Sequence, residues 1–140
     1  MTEAYKKLES RFHRMSVLSG IGGMLHWDMA VIMPGGGADA RSEQLATLSV
    51  LENELINAPD LRDLITSAQG ERLDDWQQAN LAEMKRAWVH GTAVPGELVE
   101  KMSRAGTRCE VAWRTARAEN DFKGLLPQLQ EVLDLSIEAG

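Results

Sequence analysis

Apolar residues recur every three or four positions along almost the whole chain, and this spacing constrains the fold more than any other feature of the sequence. Such a row lies on one face of an α-helix, whereas a half-buried strand would alternate apolar and polar residues. The clearest row is Tyr5, Leu8, Phe12, Met15 and Leu18. The pattern predicts an all-α fold of about five to six helices in an antiparallel array, with long helices joined by Pro- or Gly-containing turns.

Proline and glycine residues divide the pattern into separate helices. Pro34, followed by Gly35–Gly37, ends the first helix because proline lacks an amide donor and disfavours helix in the residue before it. The second helix is predicted to begin near Ala38 or Asp39 and to end by Pro59. Within the first helix, missing side chains would let another backbone approach closely at three glycines: Gly20, Gly22 and Gly23.

Capping residues predict the later helix boundaries. Asp60 is predicted to cap a short third helix, which Gly70 ends in a left-handed conformation. A fourth helix is predicted to end at Gly91, and Pro95 to be the first residue of a fifth. Asp121 is the predicted cap of a last helix, with Pro127 in its first turn and the apolar row Phe122, Leu126, Leu129, Leu133 and Ile137.

Composition narrows the classes of partner and compartment. The net charge of −6 would repel a phosphate backbone, so nucleic acid is not an expected partner. Cys109 is the single cysteine and cannot form an internal disulfide, and the charged amino terminus does not resemble a signal peptide, so a cytoplasmic location is expected. The longest weakly polar run, Met15–Leu25, is too short to cross a membrane.

A group of short motifs surrounds the break at Pro34. Trp27-Asp28 and Met33-Pro34 precede a glycine-rich turn, which is followed by Arg41-x-x-Gln44-Leu45. This series resembles the amino-terminal signature of the carboxypeptidase Taq family of metal-dependent carboxypeptidases. The resemblance continues in the same order along the chain, at Val94-Pro95, Trp113, Asp121-Phe122 and Pro127-Gln128-Leu129.

The resemblance implies a mostly helical enzyme that removes carboxyl-terminal residues from peptides with zinc or another divalent metal, usually as a homodimer. Such enzymes hold the metal with HExxH on a helix. The three histidines here, His13, His26 and His90, are followed at the fourth position by Val17, Ala30 and Val94, so the motif is absent. Residues 1–140 are therefore predicted to form a single N-terminal helical domain of a longer peptidase, binding no metal itself and inactive alone.

Six residues of the motif are candidates for structural or groove-lining roles: Trp27, Asp28, Met33, Pro34, Arg41 and Gln44. An ion pair between Asp28 and Arg41 that joins two helices is the favoured interpretation, and direct contact with substrate is the alternative. Gln44, one turn beyond Arg41, is predicted to join the same polar cluster. Family members often have Gln and Thr where this chain has Met29 and Val31, and these apolar residues would add to the core.

The other chemically active side chains carry weaker hypotheses. His26 and His90 could contribute to a metal site from two helices, but no third ligand is indicated. Cys109 lies on the apolar stripe of the fifth helix, where an unpaired thiol behaves as a small hydrophobe. Two other functional classes remain: a non-catalytic all-α module that binds a peptide or helix, and a domain that self-associates through an exposed apolar face.

Overall fold

The computed structural model describes residues 2–140, and this part of the chain folds into six α-helices with no strand, as predicted. The helices are α1 (Glu3–Val31), α2 (Ala38–Ile56), α3 (Leu61–Gln69), α4 (Asp75–Gly91), α5 (Gly96–Glu119) and α6 (Phe122–Ala139). A single 3-10 turn, Gly35–Gly37, joins α1 to α2. None of the helices in the described range is long and apolar enough to cross a membrane.

Contacts between side chains show how α2, α5 and α6 pack in the array. Ser49 of α2 donates to Ser103 of α5, while Asn53, one turn further along α2, contacts Val94 just before α5. Arg108 of α5 pairs with Glu131 of α6 at 2.8 Å. The contacts of α2 with α5 move to lower residue numbers in the second partner, from 103 to 94, as the α2 residue number rises from 49 to 53. The helices α2 and α5 are therefore antiparallel, as the sequence predicted.

The main core lies at one end of the array. Eight buried residues from α1, α2, α3 and α4 form it, and Leu8 and Leu61 are fully inaccessible to solvent. The amino-terminal row of α1 faces this core, with Phe12 and Met15 packed at its edge. The core residues are Tyr5, Leu8, Ile56, Leu61, Ile65, Ala68, Leu81 and Met84.

Several predicted helix ends are wrong in detail. Gly70 has φ −87°, an ordinary right-handed value, and the left-handed residue is Asn120 at φ 55°. Asp60 makes no capping hydrogen bond, because its carboxylate pairs with Arg11 at 2.7 Å. Pro95 lies one residue before α5 as its cap instead of opening the helix.

The last helix is present, but much of its predicted apolar row is exposed. Asp121 caps it by accepting from the backbone N–H of Gly124 at 2.9 Å. Pro127 lies inside the helix, beyond the predicted first turn. Leu125 is the buried residue of α6, while four residues of the predicted row are between 45% and 77% exposed: Phe122, Leu126, Leu133 and Ile137.

The glycines of α1 do not mark a close backbone approach, contrary to the prediction. A Cβ placed on Gly20 or Gly23 would meet nothing within 4 Å. On Gly22 it would lie 4.0 Å from the side chain of Leu48, an ordinary contact. The segment of α1 around these glycines is therefore lightly covered.

Candidate functional site

Arg41 is the centre of a polar cluster that joins the start of α2 to the end of α1. Its Nη2 lies 2.6 Å from Asp28 Oδ2, its Nε donates to Gln44 Oε1 at 2.9 Å, and its Nη1 donates to the Leu25 carbonyl at 2.7 Å. The Arg41 side chain is only 15% exposed. The predicted ion pair and the predicted place of Gln44 in the same cluster are confirmed by these contacts.

Two arginines supply the charge that the last turn of α1 lacks. This turn contains no basic residue, and a helix carboxyl end carries partial negative charge on its unpaired carbonyls. Arg114 of α5 donates to the Met29 carbonyl, and Arg41 reaches Leu25 one turn earlier. Together they fix the carboxyl end of α1 against α2 and α5.

The turn between α1 and α2 depends on the fit of Met33 against Gly37. The Pro34 carbonyl accepts a hydrogen bond from the N–H of Gly37 at 2.9 Å, which closes the turn. A Cβ on Gly37 would lie 3.1 Å from Met33 Cγ, so a larger residue would displace the methionine. Trp27, in contrast, is 54% exposed.

The two departures from the family pattern have different surroundings. Met29 is 1% exposed and adds to the core, as expected for an apolar replacement. Val31 is 60% exposed, so the same expectation is wrong for it.

A large cavity in the described part of the chain lies between α1, α2, α4 and α5 and has a volume of about 920 Å³. Apolar side chains such as Phe12, Met15 and Met102 form much of its wall, together with several serines. No Lys or Arg among residues 2–140 lines it, and none of the six candidate residues from the sequence does. The polar cluster around Arg41 and this cavity are thus separate features.

Among residues 2–140, Glu52 is the carboxylate of this cavity that has no paired cation. It lies on α2, half-buried, and burial raises its pKa above the ordinary value. Glu110, the other carboxylate in the wall, pairs with Arg114 at 2.8 Å. Ser19, His26, Ser49 and Glu52 also line a second, smaller cavity of about 310 Å³.

Both histidines that the sequence singled out line the large cavity. His26 Nδ1 donates to the Gly22 carbonyl at 2.9 Å, which leaves Nε2 of that ring without a proton when the ring is neutral. His90 enters the wall from α4. Across residues 2–140, no three His, Cys, Asp or Glu side chains are grouped so that they could hold a metal ion, and these residues do not fit the metal that the resemblance implies.

Sequence reasoning missed Glu52, although its position carries a detectable signal. Leu45, Ser49, Glu52 and Ile56 are spaced by four, three and four residues, so they share one face of α2. Leu45 and Ile56 are buried. A carboxylate on the inward face of a helix marks either a buried ion pair or a binding surface.

By fold and site, the chain is an all-α domain with an open, largely apolar groove that contains one carboxylate, Glu52, without a paired cation among residues 2–140. The family model for the carboxypeptidase Taq (M32) metallopeptidases matches residues 7–140. The chain belongs to this family, as the resemblance predicted.

Individual relatives agree with this assignment. Thermostable carboxypeptidase 1 of Pyrococcus furiosus is 28% identical over 138 residues, covering 98% of this chain but 28% of the relative. The solved structure of Trypanosoma cruzi metallocarboxypeptidase 1 is 36% identical with a TM-score of 0.73, over 96% of this chain and 27% of that one. The BsuCP crystal structure, at 19% identity, matches in fold with a TM-score of 0.91 over 98% of this chain and 28% of that one.

Proposed function

We propose that this chain is the amino-terminal helical domain of a metal-dependent carboxypeptidase that removes carboxyl-terminal residues from peptides. The family match over residues 7–140 carries the proposal. The chain spans only about 28% of the length of a relative that is a carboxypeptidase, so we propose that it forms one part of a longer enzyme. Zinc or another divalent metal would be held by residues outside this chain, where it would polarise the scissile carbonyl and activate water. Alone, the chain is expected to be inactive.

The domain's proposed contribution is one wall of the substrate groove, or a lid over it. The cavity between α1, α2, α4 and α5 supports this role because it combines apolar surface with hydroxyl groups. Ser16 and Ser19 enter its wall from α1, while Ser49 and Ser103, which bond each other, enter from α2 and α5. Hydroxyls can bond the main chain of a peptide, and the apolar surface can receive its side chains.

The polar cluster around Arg41 has a positioning role in this proposal. Arg41 bonds Asp28, Gln44 and the Leu25 carbonyl, so its donors are used within the protein. A structural role therefore has more support than substrate contact for Asp28 and Arg41. Trp27 is 54% exposed and stays a candidate for groove contact, whereas Met33 and Pro34 shape the turn that follows.

The proposal extends to the setting of the complete enzyme. We expect a homodimer in the cytoplasm with peptides as substrates and no nucleic acid or membrane partner. The net charge of −6 supports the exclusion of nucleic acid. The exposed α6 residues Phe122, Leu126, Leu133 and Ile137 offer surface for a second copy or for the rest of the enzyme.

The test is to determine the complete open reading frame and to assay its product with added divalent metal on a peptide of known sequence. Stepwise loss of carboxyl-terminal residues, abolished by a chelator and absent with residues 1–140 alone, is the expected result. A product that ends near Gly140 and releases no residue would contradict the proposal. The non-catalytic peptide-binding module would then be the better assignment, supported by the same open cavity.

A further inference from the structure

Glu52 occupies an unusual electrostatic position in the groove. It projects from α2, between the two cavities whose walls it shares with Ser19, His26 and Ser49. Burial alone accounts for the rise in its pKa, with no hydrogen bond or neighbouring charge contributing. Within residues 2–140, no Lys or Arg lines either cavity to compensate it.

An uncompensated, half-buried carboxylate costs free energy, and a bound cation is the group that would recover it. An ammonium or guanidinium close to the carboxylate offsets the desolvation and restores its ordinary pKa. The apolar wall beside it, with Phe12, Met15 and Met102, suits the methylene stem of a lysine or arginine. The groove therefore complements a side chain that is apolar along its length and cationic at its tip.

Resting on the proposed role of this groove as a substrate wall, we propose that Glu52 selects peptides that place a Lys or Arg side chain in the cavity between α1, α2, α4 and α5. The Glu52 carboxylate accepts hydrogen bonds from the cationic group. Ser16 and Ser19 on α1 offer hydroxyls to the peptide main chain. Glu110 does not compete for the cation, because Arg114 already pairs with it.

Binding of two matched peptides to the 140-residue chain tests the proposal directly. The peptides share an apolar sequence and differ at one central position, which is lysine in one and norleucine in the other. Norleucine keeps the stem and removes the charge. Calorimetric titration should show the lysine peptide binding about tenfold more tightly, the difference expected for one charged hydrogen bond in a half-buried site.

The variant Glu52→Gln keeps the shape of the side chain and removes its charge. It should abolish the difference between the two peptides while leaving the helical circular dichroism spectrum unchanged. Glu54→Gln is the matched control, because Glu54 is exposed on the same helix and does not line the cavity, and it should keep the tenfold preference. Glu52→Ala provides a second variant should Glu52→Gln fail to fold.

Three results would overturn the inference. The folded chain could bind the two peptides equally, it could bind neither of them, or Glu52→Gln could keep the preference for lysine. These results are independent of the carboxypeptidase assay on the complete product. Suppose that the complete product releases carboxyl-terminal residues and that its preference for basic peptides is unchanged in Glu52→Gln. The proposed function would then stand, and the role of Glu52 would be refuted.

Discussion

The two ends of the helical array differ in how much apolar surface they bury. The closed end comprises the amino-terminal half of α1, the last turn of α2, and α3 and α4, and it contains the main core. The open end comprises the carboxyl-terminal half of α1, the start of α2, the second half of α5, and α6. It leaves many large apolar side chains exposed, including Met24, Trp27 and Trp113 as well as the row on α6. The closed end exposes fewer of them, chiefly Trp76 and Val89 on α4.

The contrast shows that the main core and most of the exposed apolar side chains lie in different parts of this domain. α1 belongs to both ends because, at about 1.5 Å per residue, its 29 residues span about 43 Å. Its first half packs into the main core, whereas its second half buries Met29 and is held by polar contacts from Arg41 and Arg114. The cavity between α1, α2, α4 and α5 spans both halves of this helix, because Phe12 and Met15 line it from the first half and His26 lines it from the second.

The largest expected effect on stability is a difference between two leucine truncations, one at each end of the array. Leu8→Ala removes a side chain that is 0% exposed and leaves a cavity in the closed end, so we expect a loss of about 2–5 kcal/mol in the free energy of unfolding. Leu133→Ala, at a position 49% exposed, should cost about 1 kcal/mol or less. Urea denaturation monitored by circular dichroism measures both. Equal losses at high dilution would show that the two ends are packed alike.

Two glycine-to-alanine substitutions, one at each end, test the same contrast, and their effects on the free energy of unfolding should have opposite signs. A Cβ on Gly91 would lie 2.7 Å from Ile56 Cγ1, and Ile56 belongs to the main core. Gly91→Ala should therefore destabilise the chain by about 1–3 kcal/mol. Gly23→Ala places its Cβ in open space within α1 and should stabilise by about 0.5–1 kcal/mol, since alanine is the better helix former.

Thermal and urea unfolding of the two glycine variants provide the comparison. A stabilising Gly91→Ala would mean that Ile56 moves aside freely, which is inconsistent with a tightly packed closed end. A destabilising Gly23→Ala would mean that something covers this part of α1, for example a second copy of the chain. Sedimentation of the Gly23 variant separates that explanation from a strained helix.

The sequence predicted the helices well because their signal is local. The row from Tyr5 to Leu18 and the break at Pro34 depend on residues a few positions apart. The polar cluster was also predictable, because a charged pair on either side of one tight turn has few alternative partners. Asp28 and Arg41 therefore meet as expected.

Features that depend on distant residues could not be predicted in the same way. The largely exposed row on α6 is as regular as the buried and half-buried row on α1, so periodicity cannot show which helix face has a partner. Asp60 is a good capping residue, but Arg11, 49 positions away, takes its carboxylate. The cavity around Glu52 exists only because four helices meet there.

The smallest expected effect concerns the amino terminus of α1, which a distant carboxylate caps. Thr2 makes no side-chain cap, and Glu71 instead accepts hydrogen bonds from the N–H groups of Ala4 and Tyr5 at 2.8 and 3.0 Å. Partial desolvation opposes these bonds, but they prevail and lower the pKa of Glu71 below its ordinary value of 4.5. This residue joins α1 to the segment after α3 at the closed end.

A carboxylate whose pKa is lower in the folded state contributes stability above its unfolded pKa and loses it as the pH falls through the folded pKa. Glu71→Gln should therefore lower the melting temperature at pH 7, and the difference from the unmodified chain should shrink as the pH falls below 4.5. Glu54→Gln, at an exposed position, should change the melting temperature little at any pH. A Glu71→Gln difference that stays constant down to pH 3 would show that shape, and not charge, caps α1, and that the closed end depends on its apolar core alone.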